Sequence, residues 1–306
     1  MPKGKTRLAQ KRRQQVATVP ALELGGSSTA LLRSHWTGQP PLISSADNSA
    51  LAMADPVVLA ESARILRQDS MDERTESHIL SSDPLIYIID DFLSAAECEY
   101  ITGLADPQMS RAVVTGAKGN SVTSDRTSRV AWLPNPSIDR GTGSLGELSG
   151  PVAGDGTDGD VDELLVEVEE RICALLGCRS ECMEPFQVIH YLPGQEYSEH
   201  VDGYDATTEH GLANCTRGGN RLVTALMYLN DVEAGGETLF SELEISVQPR
   251  QGRVLIFHNC TADSPRKVDP RTLHAGTPVE AGEKWAANKW LRMFPLRSPG
   301  RYDYVR

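Results

Sequence analysis

Hydrophobic positions along this chain become regular only after roughly its first quarter. Residues 1 to about 80 are rich in Ser, Ala, Gln and Pro and show no sustained period, so their composition predicts a largely disordered segment. The first apolar run is DPLIYIIDDFLS, residues 83–94, which predicts a strand ending at Phe92. The pattern therefore divides the chain into a disordered or targeting region, 1–82, and one folded domain, 83–306.

Two helices are predicted between this strand and the middle of the chain. Ser94 and Glu97 form an S-x-x-E capping box, which opens a helix that runs through Leu104. The second helix begins at Asp160 and ends at Gly177, a residue type that often follows a helix C-terminus. Its apolar residues recur at helical spacing and are Val161, Leu164, Leu165, Val168, Ile172, Leu175 and Leu176.

Beyond Gly177 the pattern changes to short strands separated by turn residues. The strand-like segments are PFQVIHYL, the HVD segment, RLVTALMYLN, ISV, RVLIFH and KWAANKWLR. Many short strands at this spacing are typical of an antiparallel sandwich or barrel. The predicted fold is therefore α+β, with a double-stranded β-helix (jelly-roll) core at about 184–295, N-terminal helices flanking it and a disordered N-terminal tail.

The charge balance excludes one class of partner. A formal net charge of −12 and a pI near 5.1 disfavour binding to nucleic acid, which depends on clustered Lys and Arg. No stretch reaches the roughly 18 apolar residues that a membrane span needs. We expect a soluble, cytoplasmic protein, although the basic start MPKGKTRLAQKRRQQ is also compatible with organelle targeting or a solvated tail. The oligomeric state is left open.

The six cysteines form no CxxC pair and no zinc-finger spacing. They are Cys98, Cys173, Cys178, Cys182, Cys215 and Cys260. We interpret them as mostly reduced thiols. A bridge among Cys173, Cys178 and Cys182 stays open, because these three are close in sequence.

The segment YSEHVDGYD, residues 197–205, places His200 and Asp202 two positions apart in a predicted strand. Residues i and i+2 of a strand point to the same face, so both side chains are placed to reach one metal ion. With 7 His and 42 acidic residues, however, about one H-x-[DE] is expected by accident. An exposed polar strand edge is the alternative interpretation.

His274 and Lys284 add a third ligand candidate and a cation. Two imidazoles and one carboxylate form the facial triad that holds Fe(II) and leaves coordination positions open. An ammonium ten residues after His274 is suited to bind the far carboxylate of a chelating dicarboxylate cosubstrate. The alternative for Lys284 is a solvated amine in a turn. His258 is the second candidate for the distal ligand but lacks a partner lysine at comparable spacing, and we interpret His190, His210 and His258 as structural or solvent-facing.

Several runs of the chain closely resemble the prolyl 4-hydroxylases, a family of Fe(II)/2-oxoglutarate-dependent dioxygenases. The runs are FQVIHYLPGQEYSEHVD, RLVTALMYLNDVEAGGETLF and LHAGTPVEAGEKWAANKWLR, with IDDFLSAAECEYI and DRTSRVAWL upstream. The likeness covers about residues 84–295. The ordered occurrence of HxD, GGET, the distal His and the lysine is far more specific than any one of these motifs.

The resemblance implies three sets of site residues. The iron ligands it implies are His200, Asp202 and His274. The cosubstrate-binding residues it implies are Lys284, Tyr191, Thr224 and Tyr228. The substrate-contacting residues it implies are Tyr197, Arg221, Trp290 and Arg126. For Arg126, which lies in the family's mobile loop, an ordinary polar loop is the alternative.

The activity that the resemblance implies is 4-hydroxylation of prolyl residues in a peptide or protein, with Fe(II), 2-oxoglutarate, O2 and ascorbate, releasing succinate and CO2. One departure bears on the substrate: Arg292 stands where family members often have a histidine. A hydroxylase of a free amino acid or another side chain, and an oxygen-sensing prolyl hydroxylase, therefore remain as alternatives. A non-enzymatic module of the same fold would be expected to have lost a ligand, and this chain retains all three.

Overall fold

A computed structural model of the chain describes residues 77–112, 114–116, 119–121, 126–133, 162–216 and 218–296. Most of the predicted disordered or targeting region therefore lies outside the described residues, as do Asp160 and Val161 of the second predicted helix. Within the described ranges, no helix is long and apolar enough to cross a lipid bilayer.

The described part of the chain is built mainly of short strands. The α-helices are α1 (Ala95–Ala105), α2 (Glu163–Leu176) and α3 (Glu209–Asn214). The 3-10 helices are Asp106–Gln108, Ser180–Cys182, Ser241–Leu243 and Pro270–Thr272. The strands are β1 (Ser77–Ser82), β2 (Leu85–Ile89), β3 (Ser110–Arg111), β4 (Val114–Gly116), β5 (Gly119–Ser121), β6 (Arg129–Trp132), β7 (Gln187–Tyr191), β8 (Tyr197–His200), β9 (Arg221–Tyr228), β10 (Ala234–Gly235), β11 (Thr238–Phe240), β12 (Ile245–Val247), β13 (Val254–His258), β14 (Cys260–Thr261), β15 (Ser264–Val268), β16 (His274–Gly276), β17 (Val279–Ala281) and β18 (Lys284–Arg292).

Local capping chemistry sets the ends of both long helices. In α1 the Ser94 hydroxyl accepts from the backbone N–H of Glu97, and the Glu97 carboxylate accepts from the backbone N–H of Ser94, which confirms the capping box. In α2 the N-cap is Asp162, so the helix begins three residues later than predicted. Gly177 closes α2 with a φ of +62°, a left-handed conformation that glycine adopts without strain.

The entry to the folded region differs from the prediction at two points. Residues 77–82 form β1, which pairs with β2, so the boundary at 82 is too late. The sequence SHILSS carries little strand signal of its own, and the fully buried β2 provides the partner that fixes it. The predicted strand also ends at Ile89 rather than Phe92, because Asp91 has a φ of 54° and turns the chain toward α1.

The strands form two main antiparallel sheets. The eight-stranded sheet has the order β1-β2-β13-β9-β18-β7-β6-β3, and the four-stranded sheet has the order β12-β11-β16-β8. Tyr228 and Phe257 of the large sheet share one buried cluster with Phe240 of the small sheet. The larger cluster joins other strand residues to Ile101 of α1 and Ile172 of α2. This arrangement confirms the predicted jelly-roll core with helices packed beside it.

All six cysteines are free thiols. The bridge left open among Cys173, Cys178 and Cys182 is not formed in this structure. Burial raises the pKa of the Cys182 thiol to about 11, so this thiol is protonated and unreactive at neutral pH.

Candidate active site

Two neighbouring strands of the small sheet carry the predicted ligand histidines. His200 ends β8 and His274 begins β16, and the two residues are direct partners in the antiparallel register. Their ring centroids lie 4.3 Å apart. Asp202 lies in the turn after β8, because the strand stops at His200 and does not continue through the HVD segment as predicted. Ligand atoms of the three side chains lie within 4.8 Å of one another.

The hydrogen bonds of the two imidazoles leave one nitrogen of each ring available to a metal. Nδ1 of His200 lies 2.9 Å from the carbonyl oxygen of Ser198, and Nδ1 of His274 lies 2.9 Å from that of Thr272. A carbonyl only accepts, so each Nδ1 carries a proton, and in the neutral ring Nε2 keeps its lone pair. Burial lowers the pKa of His200 and His274 lowers it further, so the His200 imidazole is neutral at physiological pH.

The Asp202 carboxylate is held on one side by two donors. Thr224 Oγ1 donates to Asp202 Oδ2 at 2.8 Å, and the Trp290 indole N–H donates to the same oxygen at 3.1 Å. Asn259 donates to Thr224 Oγ1 at 2.9 Å and so directs the threonine proton toward the carboxylate. The other oxygen, Oδ1, lies 3.6 Å from His200 Nε2 and is left to face the ligand cluster. Burial alone would raise the pKa of Asp202, but the imidazoles and Arg221 outweigh it, and the carboxyl is ionised.

We expect Thr224→Val and Trp290→Phe each to weaken metal binding by about 10- to 100-fold, the range for residues that orient a ligand. The Asp202 carboxylate would lose one of its two fixed hydrogen bonds and rotate more freely. Titration of the metal-free protein with Co(II), followed by visible absorption, measures this effect directly. Thr261→Val is the control, since the Thr261 hydroxyl donates to Ser264 outside the cluster. Unchanged Co(II) affinity in both variants would contradict the assigned role.

Lys284 is a buried cation without a counter-ion among the described residues. Its side chain is 4% exposed, and its ammonium donates to the Gly236 carbonyl at 2.7 Å. Burial lowers the pKa of Lys284 to about 8, although Glu237 acts in the opposite direction. Lys289 on the same strand is equally buried but forms an ion pair with Glu169. The contrast shows that Lys284 alone of these two lysines is free to bind an anion.

One cavity of about 530 Å³ contains both the His–Asp–His cluster and Lys284. The residues predicted for the site that line this cavity are His200, Asp202, His274, Lys284, Tyr191, Tyr197, Arg221, Trp290 and Arg126. Thr224 and Tyr228 were expected to line it and do not. Thr224 lies behind Asp202, and the Tyr228 hydroxyl donates to Thr238 at 2.8 Å. Both lie on one face of β9 as predicted, but of this face it is Leu226, between them, that lines the cavity.

Arg126 is buried and is not an ordinary polar residue of an exposed loop. It is 6% exposed and forms an isolated bridge with Tyr197. Its guanidinium lies 4.8 Å from the Tyr197 ring centroid, and Tyr197 itself stacks on His200 at 3.6 Å between centroids. Burial raises the pKa of Tyr191, although the positive charge of Arg126 acts in the opposite direction. The arginine therefore belongs to the cavity wall.

A buried carboxylate missed by sequence analysis organises another wall of the cavity. Glu184 Oε1 accepts from Nε of Arg221 at 2.7 Å and from Nε of Arg292 at 2.6 Å. Burial alone would raise the pKa of Glu184, but the two guanidiniums lower it to about 2. The Arg221 guanidinium lies 3.8 Å from the Trp290 ring centroid. A single glutamate before β7 gives no periodic or motif signal, so nothing in the sequence singles it out.

The other histidines lie apart from this site. His190 stacks on Trp285 with 4.0 Å between centroids and contacts Glu283 through Nε2. His210 lies exposed on α3. His258, the second candidate for the distal ligand, is not a member of the cluster. Among the described residues, His200, Asp202 and His274 are the one group of His, Cys, Asp or Glu arranged to hold a metal.

A jelly-roll core with two imidazoles, one carboxylate and a buried lysine in one cavity defines the class of Fe(II)/2-oxoglutarate-dependent dioxygenases. Residues 186–292 match the family model of the 2OG-Fe(II) oxygenase superfamily.

Probable prolyl 4-hydroxylase 3 of Arabidopsis thaliana is 32% identical over 72% of this chain and 73% of its own length. Prolyl 4-hydroxylase 1 of the same plant is 34% identical over 70% and 71%. The viral collagen prolyl hydroxylase of Paramecium Bursaria Chlorella virus-1, solved with 2OG, is 28% identical, with a TM-score of 0.47, over 68% of this chain and 95% of that chain. The chain belongs to the prolyl 4-hydroxylase family and is a 2-oxoglutarate-dependent dioxygenase.

Proposed function

We propose that this protein hydroxylates prolyl residues at the 4-position in a peptide or protein, with Fe(II) held by His200, Asp202 and His274. The donor set fits the metal, because each imidazole presents a lone pair at Nε2 and Asp202 presents one oxygen. Three protein ligands on one side leave positions for cosubstrate and O2. When bound, Fe(II) and 2-oxoglutarate supply the activation of O2 and the oxidation of the C–H bond, releasing succinate and CO2.

Lys284 is proposed to bind the distal carboxylate of 2-oxoglutarate. Its ammonium is buried with one carbonyl partner, Gly236, so an incoming carboxylate would supply the missing negative charge. Tyr191 pairs with Lys284 across β7 and β18 and lies in the same cavity, where its hydroxyl is suited to a second hydrogen bond. Ascorbate is proposed to keep the iron reduced.

The protein's contribution to the reaction is positioning and the exclusion of water. Thr224 and Trp290 hold Asp202, while Tyr197 covers His200 with its ring. Tyr197, Arg221, Trp290 and Arg126 line the cavity where a substrate would enter. Trp290 would contact substrate through its ring and not through its indole N–H, which already donates to Asp202. The described residues between 77 and 296 are proposed to belong to the catalytic domain.

The observation that carries this proposal is that the His–Asp–His cluster lies in one cavity with Lys284, which has no counter-ion among the described residues. Arg292 does not line this cavity, so its departure from the family does not change a direct contact with substrate. Succinate release with Fe(II) and 2-oxoglutarate is expected to rise several-fold on adding a proline-rich peptide, relative to the same peptide with alanine at each proline. Mass spectrometry should then locate a 16 Da addition on proline. Stimulation by free proline and not by the peptide would favour the free amino acid instead.

A further inference from the structure

The cavity lining carries more positive charge than is needed to bind the proposed metal and cosubstrate. Among the described residues, its charged side chains are the cations Arg111, Arg126, Arg221 and Lys284 and one anion, Asp202. This excess contrasts with the net charge of −12 for the whole chain. In the proposed function the ammonium of Lys284 pairs with 2-oxoglutarate and the carboxylate pairs with iron. The three arginines are left facing the space for substrate.

Arg126 is a buried guanidinium whose described hydrogen-bond partners are uncharged. Its Nε donates to Ser128 Oγ at 3.1 Å and its Nη2 donates to Gln187 Oε1 at 3.1 Å. No described carboxylate lies within ion-pair distance of it. A buried charge without a counter-ion is costly, because the surroundings stabilise it less than water does. Negative charge brought into the cavity would offset this cost.

Arg221 shares its carboxylate partner with a second arginine. Glu184 accepts from both guanidiniums, at 2.7 Å from Arg221 and 2.6 Å from Arg292. One carboxylate between two guanidiniums leaves one positive charge in a buried group. Arg292 is 7% exposed and its Nη1 donates to the Gly219 carbonyl at 2.6 Å, so it is fixed in place. A neutral residue at position 292 would leave Arg221 and Glu184 as a balanced pair.

The Arg221 guanidinium keeps part of its donor capacity for the cavity. Nε and Nη2 donate to Glu184, whereas the described contact of Nη1 is the Asp202 backbone carbonyl at 3.5 Å. This contact is at the limit of hydrogen-bond length. Nη1 is therefore the group through which the excess charge acts on a ligand beside the metal cluster.

We propose that the favoured substrate carries a carboxylate beside the residue that is hydroxylated, and that Arg292 strengthens this preference through Glu184 and Arg221. The inference rests on the proposed function and specifies its substrate class. Arg292 is a positioning residue here, since it does not line the cavity. The recognised chemistry is a carboxylate, supplied either by an acidic residue flanking a peptidyl proline or by the carboxylate of free proline.

The test compares two short peptides that differ only in the residues flanking one proline, which are Asp in one and Asn in the other. Fluorescence anisotropy of the labelled peptides, with 2-oxoglutarate and without iron, measures binding, and succinate release measures turnover. The Asp peptide is expected to bind about tenfold more tightly, with a preference that declines as salt is added. Equal affinity of the two peptides, together with no preference for proline over prolinamide, overturns the inference. Proline against prolinamide is the second arm, and a preference for proline identifies the free amino acid as the source of the carboxylate.

Three variants separate the role of Arg292 from a purely structural one. Arg292→Gln is expected to lose most of the Asp preference, and Arg292→Lys, which keeps the charge, to retain it. Arg250→Gln removes one charge from an exposed arginine outside the cavity lining and should leave the preference unchanged.

An undiminished preference in folded Arg292→Gln overturns the role of this residue. If Arg292→Gln does not fold, the wild-type comparison still decides whether a carboxylate is recognised. Succinate release from both peptides at equal rates overturns only this inference, whereas no stimulation by any proline compound overturns the proposed function.

Discussion

Replacing His274 with alanine is expected to abolish iron-dependent succinate formation. The Nε2 lone pair of His274 lies opposite Asp202, at 3.9 Å from Oδ2, and no other described histidine reaches this cluster. With two ligands left, the metal would be bound weakly and in the wrong geometry. Succinate release and the dissociation constant for Co(II), measured on the same preparation, separate loss of metal from loss of turnover.

The control for this variant is His258→Ala. His258 ends β13 and is the other histidine considered for the distal ligand, and burial lowers its pKa to about 4. Its substitution is expected to reduce stability through lost packing while leaving Co(II) affinity within about threefold of the wild type, since it does not belong to the ligand cluster. Full activity in His274→Ala together with loss in His258→Ala would move the ligand assignment to His258.

Lys284→Met is expected to raise the 2-oxoglutarate concentration needed for half-maximal turnover by about 10- to 100-fold, the effect of losing a charge-assisted hydrogen bond of about 1.5–3 kcal/mol. Methionine keeps most of the volume of the lysine stem in a position that is 4% exposed. Co(II) affinity should be unchanged, because Lys284 is not among the ligand residues. The control is Lys267→Met, which removes the same charge from an exposed strand position.

The pH dependence of the 2-oxoglutarate requirement tests the same residue without mutation. The pKa of Lys284 is lowered to about 8, so the ammonium is present below this pH and is lost as pH rises through it. An anionic cosubstrate is bound by the protonated form. The requirement is therefore expected to be flat below pH 8 and to rise about tenfold per pH unit above it. A flat requirement up to pH 10 in the wild type, or an unchanged requirement in Lys284→Met, would contradict the assignment.

Local sequence patterns were sufficient for the two long helices and for several of the buried strands. The S-x-x-E box of α1 and the glycine after α2 act through hydrogen bonds to their own helix, so they are legible without knowledge of the rest of the chain. The short apolar runs correctly predicted the buried strands β7, β9, β13 and β18. Strand β1 was missed because its stability comes from pairing with β2 and not from its own composition.

The sequence predicted those residues of the candidate site that belong to motifs with a recognisable order and spacing. His200, Asp202, His274 and Lys284 were selected by motif order, and the structure brings all four to one cavity. The prediction that His200 and Asp202 point together from one strand was wrong in detail, since Asp202 follows the strand end. The orientation of the Asp202 carboxylate comes instead from Thr224 and Trp290, which lie on two other strands.

The sequence by itself determined the order of helices and strands, the likeness to an oxygenase family and the residue types that suit iron. Only the tertiary structure decided which histidine lies opposite His200 and that Thr224 holds Asp202. It also decided that two arginines share Glu184 and that Lys284 has no counter-ion among the described residues. The reason is physical. Periodicity and capping reflect forces between residues close along the chain, whereas burial, hydrogen-bond partners and charge balance depend on strands that are distant in sequence and adjacent in the sheet.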